Sequence, residues 1–502
     1  TLEQGMVAQV AQSTQKAAEE ASKQPDLKLK LGVIALSNID IGYDNEGSRL
    51  DTDIVLKTLN LDVNEIDLGK QLIDLKSLEL KGLKGQLAFG KFEKEVQEAL
   101  PAQSVAVQQA QWKFKLGNTD IDDVAFKFDN QNFAPAAKGI NYNHLDISKL
   151  TLNAKDFSYG PDAISGNIDK FTLRDKSGVD IKELRTEFFY GPKGAELKGL
   201  YLETPSTLLK DQIIVSYPSL ESLQTDIGEL GVNANLEGSK VGFKDVLLFV
   251  PTLADTPPFK GNPNGTLNIS SRMEGKVKDL YIANLEVSGI GSTSITASGR
   301  IKGLPDVKTA YMDLNVKAFR STAKDINSYI PPGTIPANIQ LPANLSAKAK
   351  FKGTLENFST NMNLVSSFGN ANVKATFDQR RKNYERYDAD VDIQNFDIGK
   401  LIKNDSLGKV TLKAKVKGIG LNPQTANALV DGKLAKAEFN GYTYRDLTIN
   451  GKINKGAFDI KAAMDDPNLD FQLVASGGFK DKYPNGKIRL NVDIADLNKL
   501  NL

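Results

Sequence analysis

The chain of 502 residues contains no cysteine. It therefore has no disulfide, no thiolate metal ligand and no thiol nucleophile, and the absence suits an oxidising compartment only weakly. His144 is the only histidine. A single histidine cannot form a histidine pair or an HExxH zinc site, and its neighbours, Asn143 and Leu145, predict a structural or exposed side chain.

No run approaches the eighteen or so consecutive apolar residues that a membrane-spanning helix needs. The 63 basic residues nearly balance the 62 acidic ones, giving a net charge of +1. This balance lacks the electrostatic footprint of a nucleic-acid-binding protein, so we expect no nucleic acid as a partner. With 40% hydrophobic residues, the composition also does not indicate disorder.

What the chain does contain is alternation of apolar and polar residues, in short runs separated by Gly, Asn, Asp or Pro. A period of two places all apolar side chains of a strand on one face and the polar ones on the other. We predict that this apolar face lines a groove. The candidate lining residues are Leu345, Ala347, Ala349, Phe351, Val391, Ile393, Val410, Leu412, Ala414, Val416, Ile488, Leu490 and Val492.

The alternation predicts an all-β protein. At about 11 residues per strand and turn, the chain would form roughly 35–40 strands, more than one open sheet usually holds without curling or splitting. One interpretation is a row of β-sandwiches. The other is a long curled, taco-like β-sheet that forms an open hydrophobic groove, with a few short helices and loops. Small apolar residues, one tryptophan and the lack of regularly spaced linkers favour the groove.

The expected organisation has two parts. Residues 1–24, rich in Ala, Gln, Glu and Lys, predict a helical or flexible segment before Pro25. Residues 25–502 predict one elongated β-groove. Loops or short helices interrupt the alternation near 91–111, 243–265 and 322–342, and we expect them to lie along the margins of the groove.

Acidic residues cluster at three places in the sequence, 120–123, 388–392 and 465–466. Most of these carboxylates alternate with apolar residues, as on the wet face of a strand, and lack the tight glycine turn of a calcium loop. No glycine-rich segment has the strand–GxGxxG–helix context of a dinucleotide site. We therefore expect no metal site, no cofactor, no catalytic residues and no enzymatic activity.

Several long phrases of the sequence resemble the inner subunits of the translocation and assembly module (TamB), which belong to the AsmA-like superfamily of bridge-like lipid-transfer proteins. The phrases span 164–188, 194–207, 326–364, 366–402 and 435–473, within a resemblance that covers about 27–502. The resemblance implies a periplasmic β-groove that carries phospholipid between the inner and outer membranes and supports outer-membrane biogenesis.

The same resemblance implies an anchor in the inner membrane and an outer-membrane barrel partner of the assembly-factor type, both through regions outside this sequence. Two hypotheses for function therefore remain open. One is a lipid conduit whose apolar groove holds acyl chains. The other is an assembly factor that helps outer-membrane proteins or surface lipoproteins to fold through exposed sheet edges. Continuous alternation favours the conduit.

Overall fold

The protein is all-β, which confirms the predicted fold class. The computed structural model describes residues 28–91, 112–330, 333, 335–478 and 485–501. Within them are 26 strands and a few helices of at most seven residues. No helix in these ranges is long and apolar enough to cross a membrane. The expected N-terminal helix lies outside the described residues. So does the excursion near 91–111, except for Lys91.

The chain divides into two units, residues 1–270 and 271–502, with the boundary inside one strand, β13. The strands of the first unit are β1 Lys28–Leu29, β2 Gly32–Asn45, β3 Leu50–Asp67, β4 Leu72–Phe89, β5 Lys113–Asn130, β6 His144–Tyr159, β7 Ile164–Asp175, β8 Asp180–Gly191, β9 Gly194–Glu203, β10 Leu208–Ser216, β11 Gly231–Asn235, β12 Ser239–Gly242 and the start of β13 Thr266–Lys276.

The first unit is one sheet in which most neighbours are antiparallel. Both β1 and β2 pair with β3, and β5 to β10 pair in sequence order. The exception is β4 and β5, which run parallel from Leu72 opposite Lys113 to Phe89 opposite Asn130. The chain therefore leaves the sheet at one margin after β4 and re-enters it at the other.

The estimate of roughly 35–40 strands is wrong, because β3, β4 and β5 each have 18 residues. Left-handed backbone conformations lie at or near one level on four strands, at Asn38, Gly82, Asp123 and Lys149. Such residues bend a strand and slip its alternation by one residue without ending its pairing. The break in period thus marks a bend.

Glycine occupies one of these bends, under a long side chain from the neighbouring strand. The Lys57 side chain on β3 crosses over Gly82 on β4 and forms an ion pair with Asp123 on β5, with Nζ and Oδ2 3.3 Å apart. A Cβ on Gly82 would displace the Lys57 methylenes, and glycine adopts a φ of +67° with less strain than other residues. The bend is therefore built from three adjacent strands.

In the second unit, consecutive strands pair antiparallel from β14 to β26, so 13 strands form a meander. The strands are β14 Asp279–Ser288, β15 Ser294–Lys302, β16 Tyr311–Thr322, β17 Asn344–Gly353, β18 Asn357–Ser366, β19 Gly369–Asp378, β20 Arg386–Asp397, β21 Leu407–Ile419, β22 Asn427–Phe439, β23 Tyr442–Asn454, β24 Ala457–Asp466, β25 Leu469–Gly478 and β26 Asn485–Ala495. The twist between neighbours and the bulges within them curl a sheet of this length.

Short helices follow strand ends. They are α1 Ser222–Thr225, α2 Phe243–Phe249, α3 Ala323–Tyr329 and α4 Ile398–Ile402, with 3-10 turns at Ile227–Glu229 and Pro251–Asp255. The first turns of α3 and α4 are capped by side chains. The Thr322 hydroxyl accepts from the Asp325 amide at α3, and the Asp397 carboxylate accepts from the Lys400 amide at α4.

The α2 segment of the first unit lies against three turns at one margin of its sheet. Asp245 Oδ2 accepts hydrogen bonds from the hydroxyls of Thr204, Ser206 and Thr207, at 2.6, 2.5 and 2.6 Å. Farther along, the Leu248 carbonyl accepts from the Ile140 amide. The segment predicted to interrupt the alternation near 243–265 therefore lies along strand ends in this unit.

The corresponding segment of the second unit also follows a margin. The Tyr329 hydroxyl of α3 donates a hydrogen bond to the carbonyl of Ile290, which lies in the turn between β14 and β15. Beyond α3, the Gln340 amide donates to the Leu401 carbonyl of α4 at 2.8 Å. Residues 335–343 thus extend from one short helix to the next.

Candidate functional site

The register of the second unit aligns apolar residues in rows across all 13 strands. Directly opposite residues in antiparallel strands project from the same face of the sheet. The first row consists of Val287, Ile295, Phe319, Ala347, Leu364, Ala371, Ile393, Leu412, Leu434, Leu447, Met464, Phe471 and Val492. Every member is apolar.

Three further rows lie beside it on the same face. The second row is Leu285, Ala297, Val316, Ala349, Met362, Val373, Val391, Ala414, Gly432, Ile449, Ala462, Leu473 and Leu490. The third is Ile282, Gly299, Leu314, Phe351, Thr360, Ala375, Ala389, Val416, Val430, Gly451, Ile460, Ala475 and Ile488. The fourth is Leu280, Ile301, Met312, Gly353, Phe358, Phe377, Tyr387, Gly418, Ala428, Ile453, Phe458, Gly477 and Gly486. Thr360 and Tyr387 carry the only polar atoms in these side chains. We call the four rows the apolar face.

The structure brings the sequence-predicted lining residues together on this face. Eleven of them belong to the first three rows: Ala347, Ala349, Phe351, Val391, Ile393, Leu412, Ala414, Val416, Ile488, Leu490 and Val492. Leu345 and Val410 continue the alternation of β17 and β21 beyond the first row, and Val410 lies opposite Phe396. Their contact with lipid stays a prediction.

The apolar face is not packed under a second layer of the described residues. Most members, including Ala349, Ala414 and Leu412, are half-buried, whereas the inner face of a sandwich would be buried. On the last strand the exposed fraction reaches 73% at Ile488 and 53% at Leu490. Large apolar side chains therefore keep contact with solvent across the whole width of this sheet.

The opposite face of the same strands carries ion pairs. Lys413, Lys415 and Lys417 on β21 lie opposite Asp392, Asp390 and Asp388 on β20, with Nζ to Oδ2 distances of 3.3, 3.9 and 3.1 Å, respectively. These three aspartates are one of the acidic clusters of the sequence. Their lysine partners and exposure fit a solvated sheet face, where such pairs contribute little to stability.

Other charged residues on this face and its margin are paired as well. The Asp313 side chain hydrogen-bonds Lys352 and raises the pKa of that ammonium. At the end of β19, hydrogen bonds from Arg380 lower the pKa of Asp378 to about 2. Lys352, Asp378 and Arg380 therefore remain charged at neutral pH.

A depression of about 650 Å³ in the second unit is lined mainly by polar and charged residues, together with Phe351, Thr360, Ala375 and Ala389 of the third row. Lys350, Asp390 and Lys415 are among the residues around it. Because Asp390 and Lys415 already face each other in the ion-pair ladder, the depression is a gap between long charged side chains.

The first unit has an apolar row that our sequence reasoning did not name. It crosses nine strands: Leu36, Leu59, Leu80, Ile121, Leu152, Phe171, Leu184, Leu202 and Leu209. The sequence did contain a signal for this row: pairs of apolar residues three positions apart, such as Leu36 and Ile39 or Leu80 and Leu83. That spacing breaks a strict period of two, and it marks the bend.

The remaining candidates for chemistry have structural partners. His144 Nε2 lies 2.8 Å from the Phe133 carbonyl, and its Nδ1 contacts Asp129. Asp466 is almost fully buried and accepts from Tyr442 Oη and from the amides of Arg445 and Asn468. These bonds hold loops and turns together at strand ends.

The acidic cluster 120–123 is likewise engaged on the polar side of the first unit. Asp120 pairs with Lys81 at 3.5 Å and accepts a hydrogen bond from Asn153 Nδ2 at 2.8 Å. Asp122 accepts from the Thr151 hydroxyl. Within the described ranges, no group of three acidic or histidine side chains is arranged to hold a metal ion.

Comparison with known proteins adds no further assignment: no family model, curated protein or solved structure matches the chain.

Proposed function

We propose that the apolar face binds lipid acyl chains and that the protein is part of a periplasmic, TamB-like bridge carrying phospholipid between the inner and outer membranes. The observation behind this proposal is the set of uninterrupted apolar rows across 13 strands, left half-exposed. Acyl chains suit such a surface because they require no directional partner.

The size of the face supports a continuous apolar ligand. Thirteen strands at about 4.8 Å extend for roughly 60 Å, and four rows spaced two residues apart add about 20 Å in the strand direction. The resulting area, about 1,200 Å², exceeds the few hundred Å² of apolar patch that soluble monomers usually expose. Exposed to water, a surface of this size would favour aggregation, so we expect it to be occupied in the cell.

The chemistry of the remaining surface is consistent with a non-enzymatic role. Charged side chains of β20 and β21 pair with each other across the two strands, and His144 in the first unit is held by Asp129 and Phe133. The function that we propose requires binding and movement of lipid only, with no bond made or broken. Support of outer-membrane biogenesis and placement in the periplasm belong to the same proposal.

One observation favours the alternative, an assembly factor that acts through a sheet edge. In the described part of the chain, β26 pairs with β25 alone, and every residue of β26 is exposed. An unpaired edge with alternating Ile488, Leu490 and Val492 could accept a strand from an unfolded client. The apolar rows need no such client, which is why we rank lipid binding first.

Lipid analysis of the native protein tests the main proposal. The protein is purified from its membrane fraction, and phospholipid per protein is measured by mass spectrometry against a mock purification. We expect several phospholipids per chain above the mock value. No excess lipid, together with crosslinking of a client strand to β26, would replace the conduit with the assembly factor.

A further inference from the structure

The sheet of the second unit has two margins that differ in their short helices. We call helix margin the strand ends and connections at 288–294, 320–330, 335–344, 365–370, 395–409, 438–443, 465–470 and 496–501. The opposite strand ends and turns form the turn margin, at 275–280, 301–312, 352–358, 377–387, 417–428, 452–458 and 485–487. Helices α3 and α4 belong to the first of these margins.

The two margins carry opposite net charge. Among the described residues, the turn margin has 13 basic and 5 acidic residues, whereas the helix margin has 6 basic and 8 acidic residues. An excess of eight positive charges along one margin produces a positive potential there, since neighbouring exposed charges lie within a Debye length of each other. An anionic group near the apolar face is therefore attracted to one margin.

Three lysines of the turn margin stand in three different turns. Lys308, Lys382 and Lys455 are exposed, and each lies apart from the ion pairs of this margin, such as Arg380 with Asp378. Beside Lys382, the Arg381 guanidinium lies 4.1 Å from the centre of the Tyr384 ring. Successive turns on a margin are two strands apart, about 10 Å. The cations thus recur along the margin.

Exposed apolar side chains occupy turns of the same margin, and two of them lie in the turns of Lys308 and Lys382. Val307, Leu355, Tyr384 and Leu421 have exposed fractions of 56%, 48%, 53% and 62%. Cations beside exposed apolar and aromatic groups are typical of surfaces that meet the boundary between lipid headgroups and acyl chains. Charge and apolarity therefore coincide on the turn margin.

The helix margin, in contrast, buries several large apolar side chains, although Val365 and Leu497 there are exposed. Phe368 and Phe396 pack edge to face with ring centres 6.3 Å apart, and Val410, Met464 and Leu500 are buried close to the same strand ends. The apolar face is thus closed by packed side chains at one margin. At the turn margin it ends among exposed cations.

We propose that the turn margin binds the phosphates of phospholipids whose acyl chains lie along the strands and point toward the helix margin. This inference rests on the proposed function and adds an orientation and a headgroup-binding surface to it. The four rows extend for about 20 Å. One leaflet of a bilayer core is about 15 Å thick, so an acyl chain fits between the two margins.

Two photoreactive lipids test the orientation. One is phosphatidylethanolamine with a diazirine on its headgroup, and the other carries the diazirine at the end of an acyl chain. The full chain is loaded from vesicles of phosphatidylethanolamine and phosphatidylglycerol, irradiated and mapped by peptide mass spectrometry. We expect the headgroup probe to label the turn margin and the chain-end probe to label residues near Phe396 and Leu412.

Equal headgroup labelling of both margins would overturn the inference while leaving lipid binding intact. Absence of labelling by either probe would overturn the proposed function together with it. A tenfold excess of glycerol 3-phosphate over lipid should leave the headgroup labelling unchanged. Loss of headgroup labelling in its presence, with chain-end labelling retained, would make the margin a site for free phosphate and also overturn the inference.

A triple variant tests the cations directly. Lys308→Glu, Lys382→Glu and Lys455→Glu together should lower headgroup labelling of the turn margin about tenfold, since each lysine contributes to the attraction of anionic lipid. The matched control places the same charge change on the helix margin, where Arg320, Lys324 and Lys409 are replaced by Glu. Equal effects of the two triple variants would contradict the inference, and circular dichroism reports whether each variant is folded.

Discussion

Leu412 lies directly opposite Ile393 on the neighbouring strand, and both project from the apolar face. The next residue, Lys413, projects from the other face and pairs with Asp392 at 3.3 Å. One step along the chain thus changes the environment of a side chain from an apolar row to a solvated ion-pair ladder. This contrast provides a matched pair of substitutions.

Leu412→Asp should abolish most lipid binding, because it places a charge among acyl chains at a cost of several kcal/mol unless water enters. Lys413→Asp makes the same new side chain on the polar face and should change stability by less than about 1 kcal/mol. Phospholipid per purified chain is the measurement. Equal losses in the two variants would show that the assignment of faces is wrong.

Asp245→Ala should destabilise the first unit. It removes the acceptor of three hydroxyl groups that fasten α2 to the turn at 204–207. Bonds to a charged acceptor contribute about 1.5–3 kcal/mol, so we expect the free energy of unfolding to fall by about 2 kcal/mol. Urea unfolding followed by fluorescence of Trp112, the only tryptophan, measures it. The control variant at an exposed position, Asp255→Ala, should change the free energy of unfolding by no more than about 0.5 kcal/mol.

Asp397 should make the stability of the second unit depend on acid pH. Burial tends to raise its pKa, but hydrogen bonds from the Lys400 amide and ammonium outweigh this and hold the pKa below its ordinary value of 3.8. A lowered pKa stabilises the folded state above the ordinary range of aspartate, and this contribution is lost as pH falls through the folded pKa.

The matched variant is Asp397→Asn, which can keep a capping acceptor but not the charge. We expect the difference in unfolding free energy between wild type and variant to be constant above about pH 5 and to shrink at lower pH. Chemical unfolding at a series of pH values checks it. A difference for Asp397 that grows on acidification would contradict the prediction.

Cleavage near Pro257 should not release a free fragment that begins at β13. The first residues of β13 pair with β12, from Ser239 opposite Ile269 to Gly242 opposite Thr266, so a cut between these strands leaves their hydrogen bonds in place. Limited proteolysis followed by size-exclusion chromatography is the test. Clean separation into folded pieces would support independent domains and a row of sandwiches.

Much of the apolar face of the second unit was predictable because alternation is local. Val410, Leu412, Ala414 and Val416 could be assigned to one side of a strand from their spacing alone. The first unit was less readable. Its strands bend at residues such as Asn38 and Asp123, where alternation slips by one, and a search for strict alternation reads each slip as a strand end.

The distribution of charge and burial between the two margins of the second unit was not predictable from the spacing of residues. Lys382 and Lys455 are far apart in sequence. They lie on the same margin because an even number of antiparallel strands, β20 to β23, separates their turns. Phe368 and Phe396 meet for the same reason. Such proximity depends on strand order, which the period of two does not contain.

The local pattern of apolar and polar residues was thus sufficient to predict strands, their two faces and an all-β class, because the side-chain direction of a strand depends only on the backbone of that strand. The joining of Ala349, Val391, Ala414 and Leu490 into one continuous row depends on register. Register is set by hydrogen bonds between strands and by bulges that shift them, so the rows became visible only once the strands were paired.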